Sequence, residues 1–242
     1  MTNLKYGLYR SMWSALDLLF PPQCGGCNSS GSRWCEDCQR RVNVLTGILC
    51  DVCGLPQEVA GVCATCRVDR PHFHSLRAWA VFEAPIQNAL HKLKYRHDMS
   101  MGEAIAGQMK SFVKNLNWHV DMIVPVPLGV QRLRERGYNQ VAMIAKPLSM
   151  ALDYQYAPDV LMRQKETRSQ VGLNKEERRK NMHAAFRAGS GVKDKTVLIM
   201  DDVSTTGSTL SASAEALYFA GAKDVYALTV ARALPHHDMR HV

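Results

Sequence analysis

Two neighbouring carboxylates followed by a run of hydroxyl side chains are the part of the sequence best suited to chemistry. Asp201 and Asp202 come directly after four apolar residues, 197–200, which are typical of a buried strand. The loop behind them leads into a helical pattern and contains Ser204, Thr205, Thr206, Gly207, Ser208 and Thr209. Carboxylates accept hydrogen bonds from a cis-diol, whereas hydroxyls and amides at a helix N-terminus hold a phosphate. This order of groups predicts a site for ribose 5-phosphate.

Other interpretations of this stretch explain less of it. A strand that ends in two acids also occurs in nucleoside triphosphatases, but the chain contains no Gly-x4-Gly-Lys-[Ser/Thr] loop. A dinucleotide-binding fold needs its glycines after the strand, whereas Gly189 and Gly191 precede one. Capping of a helix accounts for a single Ser or Thr and not for the whole loop.

Eight cysteines, all between residues 24 and 66, form four Cys-x2-Cys pairs. The pairs are Cys24 and Cys27, Cys35 and Cys38, Cys50 and Cys53, and Cys63 and Cys66. Since each pair offers two thiolates, the eight cysteines suit two tetrahedral, structural zinc ions. Redox dithiols or a secreted disulfide scaffold are weaker alternatives, because the pairing is regular and no signal peptide is recognisable. Consecutive pairs would give a double ribbon and interleaved pairs a cross-brace, and this choice stays open.

Apolar runs alternate with amphipathic stretches from about residue 72 onward. Strands are predicted at 76–82, 122–126, 197–200 and 224–232, and helices at 84–96, 101–116, 138–152 and 207–220. This alternation predicts an α/β fold with a parallel sheet covered by helices on both faces. Ligands bind such sheets at the carboxyl ends of the strands, which is where the two carboxylates stand.

Composition and charge limit the class of protein. An apolar fraction of 46% and a charged fraction of 21% are those of a soluble globular protein. A net charge of +8 favours an anionic partner such as a phosphate compound or a nucleic acid. The apolar residues 13–20 are interrupted by Ser14 and Asp17 and lack a cleavage site, so we expect an amphipathic helix there and a cytoplasmic protein.

Residues 197–209 resemble the phosphoribosyl-pyrophosphate (PRPP) signature of type I phosphoribosyltransferases, with four apolar residues, two acids and a Thr-Thr-Gly-x-Thr loop. Nearly the whole chain resembles the competence protein F family, to which the DNA-utilisation proteins of Gram-negative bacteria belong. Besides the cysteines, the resemblance rests on Leu93-Lys94-Tyr95, Ile123-Val-Pro-Val-Pro-Leu128, Arg136-Gly-Tyr-Asn-Gln140, Arg168, Gln170, Leu173, Arg178, Asn181 and Phe186. Ser208 stands where the family more often has alanine.

The resemblance implies a type I phosphoribosyltransferase fold with an N-terminal double zinc ribbon. The chain would divide into a leader helix (1–23), a zinc-ribbon module (24–70) and a phosphoribosyltransferase-like domain (72–242). Asp201 and Asp202 would hold the ribose hydroxyls, and the loop 204–209 would hold the 5-phosphate. The pyrophosphate side would consist of Pro127, Leu128, Gly129, Arg132 and Arg136, with Mg²⁺ bridging oxygens of PRPP.

Residues 163–187 would form a hood over that site, and they contain eight Lys or Arg against three Glu. A solvated basic helix is the simpler interpretation, but the one-signed charge and the family favour contact with single-stranded DNA. The candidate DNA contacts are Arg168, Gln170, Arg178, Arg179, Lys180 and Asn181.

The resemblance implies a PRPP-binding protein that serves the use or uptake of DNA, working with an uptake machinery at the inner membrane. An active phosphoribosyltransferase that acts on a nucleobase or nucleotide in salvage is the alternative. A zinc-ribbon transcription factor is a weaker third possibility, because the ribbon is short. No catalytic residue and no acceptor can be identified from the sequence.

Overall fold

A five-stranded, fully parallel sheet organises the part of the chain that the structure, a computed structural model, describes: residues 4–19, 21–164 and 185–234. The strands of the chain are β1 (Ser75–Val81), β2 (Met122–Pro125), β3 (Gln155–Tyr156), β4 (Leu161–Arg163), β5 (Phe186–Ala188), β6 (Thr196–Ser204) and β7 (Asp224–Arg232). The sheet has the order β1-β7-β6-β2-β3, whereas β4 and β5 form a separate antiparallel pair. The predicted parallel α/β fold is confirmed.

Helices cover both faces of the sheet. They are α1 (Leu4–Leu19), α2 (Glu36–Arg40), α3 (Ala64–Val68), α4 (Ile86–Tyr95), α5 (Ser100–Asn115), α6 (Val130–Arg136), α7 (Gln140–Leu152) and α8 (Ser208–Phe219). Successive side chains of β6 point to opposite faces: Leu198 and Met200 pack in the core formed with α4, α5 and α7, whereas Val197 and Ile199 pack in the core formed with α8. None of the helices among the described residues has both the length and the apolar content to cross a membrane.

Strand β6 is longer than the four apolar residues that predicted it. It continues through both carboxylates to Ser204, because parallel pairing with β7 persists there: Asp201 lies opposite Thr229 and Ser204 opposite Arg232. The two acids are therefore fixed by the backbone of a central strand and do not belong to a loop.

Helix α6 was not predicted from the sequence. It has no buried residue, so it lacks the apolar periodicity on which such a prediction depends. Helix α7 was predicted and continues across Pro147, which is buried. The short strands β3, β4 and β5 contain at most three residues each, too few for a periodic signal.

Helices α5 and α7 approach most closely at a glycine. A Cβ atom on Gly102 would lie 2.4 Å from the carbonyl oxygen of Met143, a backbone atom that cannot move aside by rotation. We therefore expect Gly102→Ala to destabilise the protein by about 1–3 kcal/mol despite alanine's higher helix propensity. Urea unfolding would measure the change.

Gly107 in the same helix is the matched control. A Cβ atom there meets only the Tyr6 hydroxyl at 3.7 Å, so Gly107→Ala should stabilise by up to about 1 kcal/mol. Equal effects of the two substitutions would contradict a steric role for Gly102.

Candidate functional site

The candidate site lies where the direction of the sheet connections reverses. From β2 the chain proceeds outward to β3, and from the adjacent β6 it proceeds to β7 on the other side. The loops after two such strands diverge and leave a crevice at their carboxyl ends. Asp201 and Asp202 stand at this end of β6, and the segment after β2 is held beside them by a 2.8 Å hydrogen bond from the Val126 amide to the Met200 carbonyl.

The hydroxyl loop joins β6 to the N-terminus of α8. Gly207 adopts a left-handed conformation, φ +80°, as the residue before the helix. A Cβ there would meet ordinary contacts only, so the backbone conformation and not space is the reason for glycine. The Thr206 and Ser208 hydroxyls lie 2.7 Å apart and are exposed together with Thr209. The loop thus presents hydroxyls beside the amides of a helix N-terminus, an arrangement that favours a phosphate.

The two carboxylates have different surroundings. Asp202 is 6% exposed, and its Oδ2 accepts hydrogen bonds from Lys94 Nζ at 2.9 Å and Gln140 Nε2 at 3.0 Å. Its Oδ1 accepts one from the Val203 amide at 2.8 Å. The Asp201 Oδ1 atom accepts a hydrogen bond from the Asp202 amide at 2.9 Å.

These surroundings shift the pKa values of the two acids in opposite directions. Burial, followed by the adjacent charge of Asp202, raises the pKa of Asp201 well above its ordinary value. Burial also disfavours ionisation of Asp202, but the Lys94 charge and the hydrogen bonds from Lys94 and Gln140 outweigh it, and its pKa is lowered. The surroundings therefore favour the charged form of Asp202 and disfavour that of Asp201.

The Leu93-Lys94-Tyr95 and Arg136-Gly-Tyr-Asn-Gln140 motifs meet at Asp202. The Arg136 guanidinium lies 5.4 Å from the centre of the Tyr95 ring and donates a hydrogen bond to Gln140 Oε1. Gln140 in turn donates to Asp202, next to Lys94. A chain of contacts thus connects helix α4, the end of α6 and the start of α7 with the acid on β6.

Tyr138 and Asn139 hold this arrangement in place. The Tyr138 hydroxyl donates to the Leu93 carbonyl, which fixes the start of α7 against α4. The Asn139 side chain caps α7 by accepting from the Val141 amide at 2.9 Å, and it donates to the Val126 carbonyl at 2.9 Å. Each residue of the motif that carries a polar side chain therefore has a positional role.

Lys94 and Gln140 were absent from the residues that the sequence assigned to the site. Both belong to motifs on which the family resemblance rests. Membership in those motifs was the signal that could have identified them as site residues. Their contact with Asp202 spans 108 and 62 positions along the chain, so no local pattern reveals it.

The remaining predicted site residues are distributed as follows. Pro127, Leu128 and Gly129 follow β2 directly at the crevice, and Gly129 precedes α6. Arg132 is exposed on α6, whereas Arg136 takes part in the contacts at Asp202. The candidate DNA contacts all lie outside the described residues: Arg168, Gln170, Arg178, Arg179, Lys180 and Asn181.

Replacing Lys94 with methionine should remove a buried ion pair. We expect Lys94→Met to destabilise the protein by about 3–5 kcal/mol at pH 7, because Asp202 keeps a buried charge without its cation. Lys94 lowers the pKa of Asp202, so the stability that the pair supplies is present above the unfolded-state pKa and is lost as pH falls through the folded-state pKa. In Lys94→Met the charge that lowers the pKa of Asp202 is gone and burial raises that pKa, so the acid takes up a proton as pH falls and its penalty disappears. Urea unfolding should therefore show a smaller difference from wild type at pH 4 than at pH 7.

Arg10→Met provides the control for Lys94→Met. Arg10 pairs with Glu103 at 3.4 Å, but its side chain is 65% exposed, so its loss should change stability by less than about 1 kcal/mol. If Lys94→Met lowers the free energy of unfolding equally at pH 4 and pH 7, lost packing and not the lost ion pair would be the cause.

The cysteines form two separate clusters of four. Cys24, Cys27, Cys35 and Cys38 compose the first cluster, and Cys50, Cys53, Cys63 and Cys66 the second, with the sulfurs of each cluster within 4.8 Å of one another. Measured Sγ–Sγ distances are 3.6 Å for Cys27–Cys35 and 3.8 Å for Cys53–Cys63. Tetrahedral zinc with Zn–S bonds of about 2.3 Å separates its sulfurs by about 3.8 Å, so both clusters fit zinc. Consecutive pairs share a site, which answers the question that the sequence left open.

The two clusters dock on different parts of the fold. At the first, Lys92 Nζ donates to the Cys24 carbonyl at 2.7 Å and Asn88 to the Gly26 carbonyl at 2.7 Å, so this cluster lies against α4. At the second, the Leu76 amide donates to the Val52 carbonyl at 2.7 Å, which joins this cluster to β1. Four thiols in each cluster leave no ligand position open for catalysis, so the zinc role is structural.

Comparison with known proteins agrees with this architecture. Residues 15–67 match the double zinc ribbon domain family, and residues 94–238 match the phosphoribosyl transferase domain family. The DNA utilization protein YhgH of Escherichia coli O157:H7 is 30% identical over 206 residues, 83% of this chain and 90% of that protein. Competence protein F of Haemophilus influenzae is 27% identical over 208 residues, 82% of this chain and 90% of that protein. A solved structure of glutamine PRPP amidotransferase from B. subtilis shares 17% identity with a TM-score of 0.42, and the match covers 58% of this chain and 30% of that one.

The matched residues include both the two cysteine clusters and the strand, loop and helix that surround the acid pair. The phosphoribosyl transferase domain match covers more than half of the chain, and the DNA utilization relative is 30% identical over 83% of it, so the membership is plain. This chain belongs to the phosphoribosyl transferase domain family, in the branch formed by the DNA utilization and competence F proteins.

Proposed function

We propose that this protein binds PRPP at the carboxyl end of β6. The observation that carries the proposal is that an acid pair and a hydroxyl loop at a helix N-terminus occupy the same end of one central strand. Asp201 and Asp202 would accept hydrogen bonds from the ribose 2′- and 3′-hydroxyls. The loop 204–209 would hold the 5-phosphate with its hydroxyls and amides.

The unequal pKa values of the two acids suit a ligand that arrives with Mg²⁺. Lys94 keeps Asp202 ionised and ready to accept from a hydroxyl. Asp201, whose pKa is raised, would ionise as Mg²⁺ brings positive charge to the crevice. Mg²⁺ would be held chiefly by oxygens of PRPP, as is usual for this ion on a phosphate ligand.

The pyrophosphate side of the ligand would lie at the loop after β2. Pro127, Leu128 and Gly129 follow the neighbouring strand at the same edge of the sheet. Arg132 and Arg136 on α6 would supply positive charge there. A group that leaves C1 of the ribose as pyrophosphate would be stabilised by such charge in the transition state.

The use or uptake of DNA is the process in which we propose that PRPP binding acts. Relatives that match most of this chain are named for DNA utilization and for competence. The net charge of +8 and the basic residues 163–187 would attract the phosphates of single-stranded DNA. We place this activity in the cytoplasm, next to an uptake machinery at the inner membrane.

A phosphoribosyltransferase reaction is the second candidate, and a cavity beside Lys94 favours it. The cavity measures about 340 Å³ and is lined by aromatic, amide and basic side chains: Phe82, Gln87, Asn88, Leu90, His91, Lys94 and Tyr95. Lys94, one of these lining residues, also contacts Asp202 and so connects the cavity with the acid pair. It would give a nucleobase or nucleotide acceptor room next to a bound ribose.

Calorimetric titration of PRPP in the presence of Mg²⁺, with and without a single-stranded oligonucleotide, tests the proposed function. We expect PRPP to bind, and we expect DNA affinity to change when PRPP is present, since coupling between two sites is reciprocal. Release of pyrophosphate on addition of bases or oligonucleotide would establish that the protein is an active phosphoribosyltransferase. If the titration of PRPP gives no heat of binding, and PRPP displaces no other ligand from the protein, the assignment of the site would be wrong.

A further inference from the structure

Arg232, at the end of β7, is a buried cation that the proposed PRPP site does not use directly. Its side chain is 2% exposed and is the largest among the fully buried side chains. No carboxylate of the described residues lies within 4.0 Å of its guanidinium. A buried charge is expensive unless other groups compensate it, so its actual partners are informative.

The guanidinium joins the second cysteine cluster to the hydroxyl loop. Its Nη1 atom donates to the carbonyl of Cys53 at 2.6 Å, and Nη2 donates to the carbonyl of Thr205 at 3.3 Å. The backbone of Arg232 lies opposite Ser204 in the sheet, and the Ala233 amide donates to the Ser204 carbonyl at 3.0 Å. One side chain therefore contacts both a metal knuckle and the loop at the helix N-terminus.

The second cluster supplies the negative charge that Arg232 lacks elsewhere. The contact of Nη1 with the Cys53 carbonyl places the guanidinium against this cluster, within electrostatic reach of its sulfurs. Four thiolates outweigh the charge of one Zn²⁺, so a zinc-loaded cluster remains an anion. Arg232 is positioned as the buried counter-cation of that anion.

We propose that Arg232 is a positioning residue that makes the phosphate loop depend on zinc in the second cluster. This inference rests on the proposed PRPP function. With zinc bound, the cluster holds the guanidinium in place, and Nη2 keeps the Thr205 carbonyl turned inward. When zinc leaves, the anion and the ordered Cys53 carbonyl are lost, Arg232 no longer fixes the loop, and the 5-phosphate binds more weakly.

The first cluster has no such connection and supplies the matched control. Its described contacts with the rest of the fold go to α4 through Lys92 and Asn88. Cys35→Ser and Cys63→Ser each remove one partly buried ligand, from the first and second cluster respectively. We expect Cys63→Ser to weaken PRPP binding about tenfold and Cys35→Ser to change it less than about twofold.

Substitutions of Arg232 separate its role from that of the cysteines. Arg232→Met should weaken PRPP binding by about tenfold and also speed the release of zinc from the second cluster. Arg232→Lys keeps the charge but has one donor group in place of a fork, so it should restore zinc retention and leave PRPP binding weakened. If Arg232 served only to stabilise the fold, each substitution would change zinc retention and PRPP affinity together.

The wild-type chain provides a test that needs no destabilising substitution. Since coupling between affinities is reciprocal, saturating Mg²⁺-PRPP should raise the affinity for one of the two zinc ions about tenfold, measured by equilibrium competition with a chelator, and leave the affinity for the other unchanged. PRPP binding together with two zinc affinities that PRPP does not alter would overturn the Arg232 proposal and leave the PRPP site standing. Failure of the wild-type protein to bind PRPP would overturn both.

Discussion

The double variant Asp201→Asn, Asp202→Asn is expected to lose PRPP affinity by at least about 100-fold, because two hydrogen bonds to charged acceptors contribute about 1.5–3 kcal/mol each. Both carboxylates lie near the end of a central strand that is paired with β7 on either side of them, so their removal deletes the acceptors and leaves the strand pairing in place. Calorimetric titration with Mg²⁺-PRPP measures the change. Affinity close to wild type would mean that the acid pair does not hold the ribose.

Two controls separate ligand binding from folding in that experiment. Asp194→Asn removes an exposed carboxylate close before the start of β6, at the opposite end of the strand, and should leave affinity unchanged. Asp194 has φ +57°, a conformation that asparagine also tolerates. Because Asp202→Asn leaves the partly buried Lys94 without its anion, the variant should also be combined with Lys94→Met, which leaves a neutral pair.

Removal of zinc should have the largest effect on stability. We expect two zinc ions per chain by elemental analysis, and none after Cys24→Ser is combined with Cys50→Ser. Structural zinc contributes about 10–16 kcal/mol of binding free energy in small zinc domains, so residues 24–66 should unfold when both ions are lost. Thermal unfolding with and without chelator measures the effect, and added Zn²⁺ should reverse it.

Thiol titration of the same protein gives an independent check. All eight cysteines of the chain lie in the two clusters, so the count of reactive thiols reports on these sites alone. They should react slowly while zinc is bound and rapidly after chelation. Rapid reaction of the untreated protein, together with less than one zinc per chain, would contradict two structural sites.

Local sequence patterns predicted most of the strands and helices but not the contacts between them. The strand at Val197 and the helix after Gly207 follow from apolar runs and from the residue types at their ends. The extension of β6 through Asp201 depends on pairing with β7, which no local property of β6 encodes. Sequence reasoning therefore placed the carboxylates at the correct end of the sheet but ended the strand at Met200, whereas it continues to Ser204.

The neighbours of the site were harder to predict for the same reason. Lys94 reads as one of several charged residues on an amphipathic helix until α4 is docked against β6. In the sequence, Arg232 is an ordinary charged residue at the end of a strand. Its burial is explained by the position of the second cysteine cluster, whose Cys53 carbonyl it contacts. The pairing of the cysteines likewise depends on three-dimensional proximity, although the short spacers favoured the consecutive arrangement that is observed.

The antiparallel pair β4–β5 has a consequence for how this protein can diversify. The Gln164 amide donates to the Ala185 carbonyl at 2.9 Å, so the two ends of the intervening segment are side by side. An insertion whose ends already meet can change in length at a small entropic expense, because closure entropy grows only slowly with length. A change in the number of residues between Gln164 and Ala185 should therefore keep the register of every described strand.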